Sequence, residues 1–300
     1  TPGIYQLRGF DLANMTLIKG DSGWIVIDPL TSRETAANAF RFAMQQLQPR
    51  YPQLTGISAV LFTHPHLDHF GGALGIISQQ EIDQRHIPVI APQGFMEEAT
   101  SENIIAGNAM SRRAMFMYGK NLPRDIWGHV GSGLGKSPAF GEFSILQPNQ
   151  LVDHTLQEMT IDGVDFRFQY TPESEAPAEF TFYLPQYRAF CGAEVMSRHM
   201  HNLYTPRGAK VRDAMKWSAY IEEARRLFAD ADIYLRKGPT CEWDLAAGQC
   251  ILQEAGGCLV DFAGNVMQYN RKQSLINAPF FALGDKTKVD YILQLIKEEF

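Results

Sequence analysis

The chain has 300 residues, with 27 Lys and Arg against 33 Asp and Glu for a formal net charge of −6, and 45% of it is hydrophobic. This is the composition of an ordinary globular protein. The chain is long enough to form one large or two small domains without a disulfide or a bound metal to stabilise the fold. The acidic balance without Lys/Arg clusters argues against nucleic-acid binding, and no apolar run approaches the roughly 20 residues of a membrane span.

The first half of the chain predicts strands and helices in alternation. Alternating or apolar stretches predict strands, and an imperfect helical stripe predicts a helix that starts at Ser32 or Glu34 and ends near Gln48. The predicted strands are Gly3–Arg8, Met15–Lys19, Gly23–Asp28, Ile57–Thr63 and Ile87–Pro92. Helical sequence follows from about Phe95 to Tyr118.

The second half repeats the order of strands followed by a helix. Residues 119–150 lack periodicity and predict a long functional loop or lid. Strands are then predicted at Leu156–Ile161, Val164–Thr171, Phe180–Leu184 and Ala189–Gly192, with a helix from about Val211 to Phe228. Two such halves predict an α/β fold in which two sheets pack together with helices outside, a four-layer αββα sandwich. A doubly wound single sheet is the alternative.

The segment THPHLDHFGG follows an apolar strand and holds four ligand-type residues in six positions: His64, His66, Asp68 and His69. Imidazoles and a carboxylate suit zinc or a similar divalent ion, and a turn at a strand end can direct alternating side chains toward two metals. A solvated polar turn is the alternative. Gly71 and Gly72 favour the metal interpretation, because a metal-bearing loop needs close backbone packing.

This H-x-H-x-D-H element resembles the signature of the metallo-β-lactamase fold superfamily. Its context resembles the zinc-dependent alkylsulfatases over about residues 3–230. The matching segments are NMTLIKGDSGWIVIDPLTSRETA, ENIIAGNAMSRRAMFMYG, SEAPAEFTFYLPQYRAFCGAE and HNLYTPRGAKVRDAMKWSAYIEEA.

The resemblance implies two zinc ions and a set of site residues. It implies one metal site formed by His64, His66 and Glu175, and a second formed by Asp68 and His69. The resemblance also implies that Glu194 joins the two sites and that Asp68 and Glu194 are catalytic carboxylates. Asn202 and Arg207 resemble the sulfate-binding pair, and Tyr118 is a further candidate for the same pocket.

From about residue 231 the sequence no longer resembles the alkylsulfatases and resembles a different family. Residues 231–285 resemble the final segment of the inositol monophosphatase superfamily, nearest the 3'(2'),5'-bisphosphate nucleotidases, where Asp244 of EWDLAAG would be a magnesium ligand. The upstream acidic motif of that family is missing, so Asp244 is an orphan ligand or a helix cap. The chain is therefore predicted to be a fusion of a domain at 1–230, truncated at its N-terminus, and a tail at 231–300. A strand at Asp232–Arg236 and a helix at about Asp244–Ala255 would complete the same globule.

The predicted function is zinc-dependent hydrolysis of a small-molecule alkyl sulfate to an alcohol and sulfate. The alternatives are an inactive metal-binding fusion product, a phosphodiester or lactone hydrolase of the same fold, and, last, a bisphosphate nucleotidase. The second metal site is predicted to be incomplete, because alkylsulfatases supply a further histidine there and this chain has none after His201. The resemblance implies a periplasmic or secreted location, although no signal peptide is visible, and the oligomeric state stays open.

Overall fold

The computed structural model describes residues 2–129, 131, 137–196, 202–228, 233–236, 249, 252–253, 256–269, 271 and 280–299. The chain divides into two compact units. The first comprises residues 1–195 and 202–226, and the second comprises residues 196–201 and 227–300.

A six-stranded sheet forms the centre of the first unit. Its strands follow the chain order: β1 (Ile4–Leu7), β2 (Met15–Lys19), β3 (Trp24–Ile27), β4 (Ile57–Leu61), β5 (Val89–Pro92) and β6 (Gln150–Val152). The first three strands pair antiparallel, and the pairs from β3 to β6 are parallel. The carboxyl ends of β3 and β4 therefore lie side by side at one edge of the sheet.

A second sheet covers one face of the first. It is antiparallel in the order β10-β9-β8-β7, with strands β7 (Glu158–Ile161), β8 (Val164–Tyr170), β9 (Phe180–Leu184) and β10 (Ala189–Cys191). In β3 the side chains alternate, so that Ile25 and Ile27 pack toward the second sheet while Trp24 and Val26 pack toward the helices. Burial on both faces explains why the strand is a continuous apolar run.

Helices form the two outer layers. The described helices of the first unit are α1 (Arg33–Leu47), α2 (Leu67–Phe70), α3 (Gln79–Arg85), α4 (Phe95–Thr100), α5 (Gly107–Met117) and α6 (Ala214–Leu227). Helix α1 buries its alanine-rich face against the first sheet. Helix α6 is bound to the second sheet through Gln169, whose Nε2 donates to the Tyr220 carbonyl at 2.8 Å. The predicted four-layer α/β sandwich is confirmed.

Three local predictions need correction. The predicted helix from Phe95 to Tyr118 is divided, because a π-helical turn at Ser101–Ile105 separates α4 from α5. Helix α3 was not predicted, although its Ser78 cap and Glu81 form a capping box. Strand β6 was also missed, since it lies at the end of the segment assigned to the long loop.

The second unit contains a three-stranded antiparallel sheet. The central strand β13 (Phe280–Leu283) pairs with β11 (Ile233–Arg236) on one side and with β12 (Cys258–Asp261) on the other. Helix α7 (Val289–Glu299) follows this sheet. The predicted strand at Asp232–Arg236 is confirmed as β11. Asp244 and most of the predicted helix Asp244–Ala255 lie outside the described residues.

None of the helices in the described ranges combines the length and the apolar character that crossing a bilayer requires.

Candidate metal centre

The histidine-rich turn lies at the carboxyl end of β4 and leads into α2. His64, His66 and His69 are all buried, and the ring centroids of His64 lie 4.7 Å from His66 and 4.0 Å from His69. The turn packs closely on the chain that follows β3. A Cβ at Gly71 would lie 2.2 Å from the Thr31 carbonyl oxygen and one at Gly72 would lie 2.4 Å from that of Pro29, so only glycine fits at these positions.

The second sheet supplies two glutamates that face these histidines. Glu175 lies in the loop between β8 and β9, and Glu194 follows β10. Glu175 Oε2 lies 3.1 Å from His66 Nδ1 and 3.8 Å from His64 Nε2. The four side chains His64, His66, Glu175 and Glu194 each offer a ligand atom, and all of these atoms lie within 4.8 Å of one another. This is the group of side chains that the resemblance implied for the first metal site.

Glu194 lies between two imidazoles. Its Oε2 is 3.6 Å from His64 Nε2, and its Oε1 is 3.4 Å from His69 Nε2. Asp68 Oδ2 lies 3.7 Å from the same nitrogen of His69. Each oxygen of Glu194 therefore faces one of the two predicted metal sites, as a bridging carboxylate requires.

Asp28, which was not predicted as a site residue, orients two of the histidines. Its Oδ2 accepts from Thr63 Oγ1 at 2.7 Å and lies 2.8 Å from His69 Nδ1. Because Thr63 donates its only proton to Asp28, its oxygen accepts from His64 Nδ1, 2.9 Å away. Both imidazoles thus carry a proton on Nδ1 and direct Nε2 into the site. Carboxylates that fix the tautomer of ligating histidines are a regular feature of metal sites.

These residues fit a divalent cation. His64 Nε2 and His69 Nε2 are buried and have no hydrogen-bond partner within the described part of the chain. A buried nitrogen left in this way is costly unless a ligand binds to it. With carboxylates on the same centre, the donor set of nitrogen and oxygen suits zinc or a similar borderline ion.

The charges of the site are strongly coupled. Burial and then the neighbouring charges of His69 and His66 hold the pKa of His64 well below its usual value. Burial also opposes protonation of His66, but the charges of Glu175, Glu102 and Glu194 outweigh it and raise the pKa of His66 to about 9. The carboxylates therefore favour a positive charge even on a buried imidazole. A bound cation would neutralise the same negative electrostatic potential.

Arg212, which was not predicted as a site residue, binds the oxygen of Glu175 that does not face the histidines. Its Nη2 donates to Glu175 Oε1 at 2.5 Å and its Nε donates to the Glu175 carbonyl at 2.6 Å. Arg212 is buried, and its Nη1 donates to Asn202 Oδ1 at 3.1 Å. The predicted sulfate-binding residue Asn202 is itself exposed. Its carbonyl oxygen is thus used by Arg212, while its amide nitrogen is the group suited to an anion.

Arg207 lies on the side of His66, and Tyr118 is near enough to influence the charge of Arg207. The Arg207 guanidinium is paired with Glu102 of the π-helical turn, and Glu102 Oε2 lies 3.9 Å from His66 Nε2. Burial opposes the charge of Arg207, but Glu102 and Tyr118 raise its pKa above the usual value. Tyr118 caps the end of α5. π-helical turns often occur at functional sites, and this one brings Glu102 to the edge of the predicted metal centre.

Replacement of Asp28 by asparagine is expected to weaken metal binding by about 10–100-fold, as for other residues that orient ligating histidines. Chelator competition with the purified protein measures this. The matched control is Asp162→Asn, because Asp162 also accepts hydrogen bonds at a turn with positive φ but lies at Ser22 and Gly23. The control should leave the affinity unchanged, and equal affinities in the Asp28 variant and the unmodified protein would contradict the role of Asp28.

Comparison with known proteins yields matches to two families. The model of the metallo-beta-lactamase superfamily matches residues 8–234, and that of the inositol monophosphatase family matches residues 190–298. The 3'(2'),5'-bisphosphate nucleotidase CysQ of Aggregatibacter actinomycetemcomitans is 42% identical over 53 residues, which are 18% of this chain and 19% of that protein. The chain thus joins segments that match two unrelated families, as the sequence predicted.

The larger match is to alkylsulfatases. The alkyl/aryl-sulfatase BDS1 of Saccharomyces cerevisiae is 42% identical over 228 residues, which are 76% of this chain and 34% of that protein. The solved structure of the stereoselective inverting sec-alkylsulfatase Pisa1 from Pseudomonas sp. is 44% identical with a TM-score of 0.71, and the match covers 77% of this chain and 36% of that one. The chain spans about a third of the length of these relatives.

The fold agrees with that of the solved relative. Since the family match also spans most of the chain, this protein belongs to the metallo-beta-lactamase superfamily, and His64, His66, Glu175 and Glu194 form a group that could hold a metal ion.

Proposed function

We propose that this chain is a zinc-dependent hydrolase of alkyl sulfate esters. The observation that carries the proposal is the position of Glu194, whose Oε2 lies 3.6 Å from His64 Nε2 and whose Oε1 lies 3.4 Å from His69 Nε2. Such a centre suits hydrolysis of an ester in which negative charge develops. Three relatives at more than 40% identity are named as alkylsulfatases, which supports sulfate esters as the substrate class.

The zinc content is part of the proposal. His64, His66, Glu175 and Glu194 would hold one ion tightly, while Asp68, His69 and Glu194 would provide only part of a second site. The sequence has no histidine after His201 that could complete that second site. Zinc bound at such a centre supplies Lewis-acid activation of water near neutral pH and offsets negative charge that develops on the ester.

The chain's own residues bind the ester and handle the proton. Arg207 provides a planar fork of donors for the sulfate oxygens, and the amide of Asn202 provides another donor. Asp68 and Glu194 have side-chain exposures of 27% and 40%, whereas Glu175 is 2% exposed. Asp68 and Glu194 are therefore the carboxylates that a substrate can reach. Burial and the charge of Glu194 raise the pKa of Asp68 in the metal-free protein, and Asp68 is the carboxylate to which we assign acceptance of a proton during hydrolysis.

The direct test is release of inorganic sulfate from octyl sulfate by the purified chain. We expect sulfate and octanol in equal amounts, loss of the activity after chelation, and its return when zinc is added. Octyl phosphate and a lactone serve as parallel substrates. Hydrolysis of either one without sulfate release, or no hydrolysis by the zinc-loaded chain, would contradict the proposal.

Metal content provides a second prediction, because the two sites differ in their ligands. After exhaustive exchange into zinc-free buffer, elemental analysis should find about one zinc ion per chain rather than two, since an incomplete ligand set binds more weakly. Two tightly held ions per chain would show that the second site is complete.

Replacement of Arg207 by alanine should reduce kcat/KM for octyl sulfate by an amount equivalent to about 2–5 kcal/mol, because it removes a charge-assisted contact from a partly buried charged pair. The double variant Glu102→Gln/Arg207→Ala separates the lost sulfate contact from the unpaired charge left on Glu102. The control is Arg85→Ala, which removes an exposed arginine from α3. Steady-state kinetics measure all three, and an unchanged rate in the Arg207 variant would exclude it from the sulfate site.

A further inference from the structure

Glu179 is a buried carboxylate that the proposed reaction does not use. It lies just before β9, its side chain is completely buried, and its Oε1 is 3.9 Å from His64 Nδ1. Burial and then the charge of Glu175 raise the pKa of Glu179 well above its usual value, and a carboxyl group in such a place needs hydrogen-bond partners to offset the loss of its hydration. The identity of these partners indicates what Glu179 does.

Its two oxygens bind two different segments of the chain. Oε2 accepts from the backbone N–H of Ala176 at 3.1 Å and lies 3.1 Å from the Ser174 hydroxyl. Oε1 accepts from the backbone N–H of Glu194 at 3.2 Å. The first pair of partners flanks Glu175 in the chain, and the third is the backbone of Glu194 itself.

The loop that bears Glu175 is also closed at its base by the same residue. The Thr171 N–H donates to the Glu179 carbonyl at 2.9 Å, and the Ser174 hydroxyl donates to the Thr171 carbonyl at 2.6 Å. Glu175 is therefore presented by a short loop whose two ends are joined at Glu179. Glu194 has no comparable loop, because it follows β10 directly, and its contact with Glu179 fixes its backbone to the same carboxylate.

We propose that Glu179 is the positioning residue of the metal centre: by accepting from the backbone on both sides, it fixes the distance between the two ligating glutamates, Glu175 and Glu194. This inference rests on the metal site of the proposed function but not on its substrate. Ligands held at a fixed separation bind a cation without first being ordered, which is the usual reason why residues behind the ligands affect metal affinity.

Glu179→Gln is the variant that tests this. The glutamine amide retains one acceptor oxygen, but its NH2 group faces a backbone N–H in place of the other oxygen. The hydrogen bond to one of the two segments is therefore lost. We expect the zinc dissociation constant, measured by competition with a chelating dye, to rise by about 10–100-fold. The visible absorption spectrum of the cobalt-substituted chain should change as well, because its d–d bands report the ligand geometry.

Thr181→Val is the matched control. Thr181 lies two residues further along β9, is equally buried, and donates to Gln169 Oε1 at 2.8 Å. Its loss removes a buried hydrogen bond from the same strand without touching either glutamate segment. The control should unfold at a lower temperature but keep the zinc affinity and the cobalt spectrum of the unmodified chain. This result would separate a positioning role of Glu179 from a general effect on stability.

Two outcomes would overturn the inference: a Glu179→Gln chain whose zinc affinity stays within about threefold of the original with an unchanged cobalt spectrum, or an unmodified chain that binds no zinc. If the glutamine variant does not fold, Glu179→Asp replaces it, since the shorter carboxylate cannot reach both segments and should show the same loss of affinity. Zinc binding without sulfate release would contradict the sulfatase proposal and leave the positioning role standing.

Discussion

His64→Ala should remove the tightly bound metal and lower the rate of ester hydrolysis by roughly 1000-fold or more, equivalent to about 4 kcal/mol. His64 Nε2 faces both Glu175 and Glu194, so the substitution removes the nitrogen shared by the two glutamates. Elemental analysis and steady-state kinetics on the same preparation measure the two effects.

A histidine elsewhere in the chain provides the control for that experiment. His154 is exposed and pairs with Asp153, so His154→Ala should change neither metal content nor rate. Burial keeps the pKa of His64 low, so the alanine variant removes no positive charge from the metal-free protein. A variant of His64 that retains stoichiometric zinc would exclude this residue as a ligand.

Arg212→Ala is expected to destabilise the metal-free protein by about 3–5 kcal/mol, the cost of leaving a buried charge without its partner. Arg212 and Glu175 have side-chain exposures of 6% and 2%. The loss should be smaller when zinc is bound, since a cation then compensates part of the charge on Glu175. Denaturant unfolding with and without zinc measures both values.

The control for Arg212 is an arginine in an ion pair at the surface. Arg225 pairs with Glu222 on α6 at 3.0 Å, and both side chains are exposed. Arg225→Ala should change the stability by less than about 1 kcal/mol, as is usual for exposed pairs. Equal losses in the two variants would show that the Arg212 pair does not behave as a buried one.

The histidine turn and most strands could be predicted because their signals are local. Alternation in β8 and the apolar run of β4 each reveal a strand from a few neighbouring residues. Helix α3 carried an equally local signal, the capping box at Ser78 and Glu81, which was overlooked. The division between α4 and α5 had no such signal, because helical sequence continues across the π-helical turn.

The residues that support the metal ligands could not be predicted from local pattern. Arg212 and Glu175 are distant in sequence, and their contact exists only once α6 covers the second sheet. Asp28 is the exception, since a polar residue directly after β3 lies beside the residues that follow β4 when the two strands are parallel. Carboxyl ends of neighbouring parallel strands commonly form sites, and that rule would have identified Asp28.

The proposed metal ligands come from both sheets of the sandwich, the histidines from the first and the glutamates from the second. Unfolding separates them by long stretches of chain, so the unfolded protein has no comparable site and releases the ion. Under the proposed function, free zinc is a stabilising ligand of the native state, and at 100 times its dissociation constant it would add about 2.7 kcal/mol to the free energy of unfolding. The midpoint of thermal unfolding should therefore rise with the zinc concentration. The resistance of the chain to proteases should also rise with the concentration of free zinc.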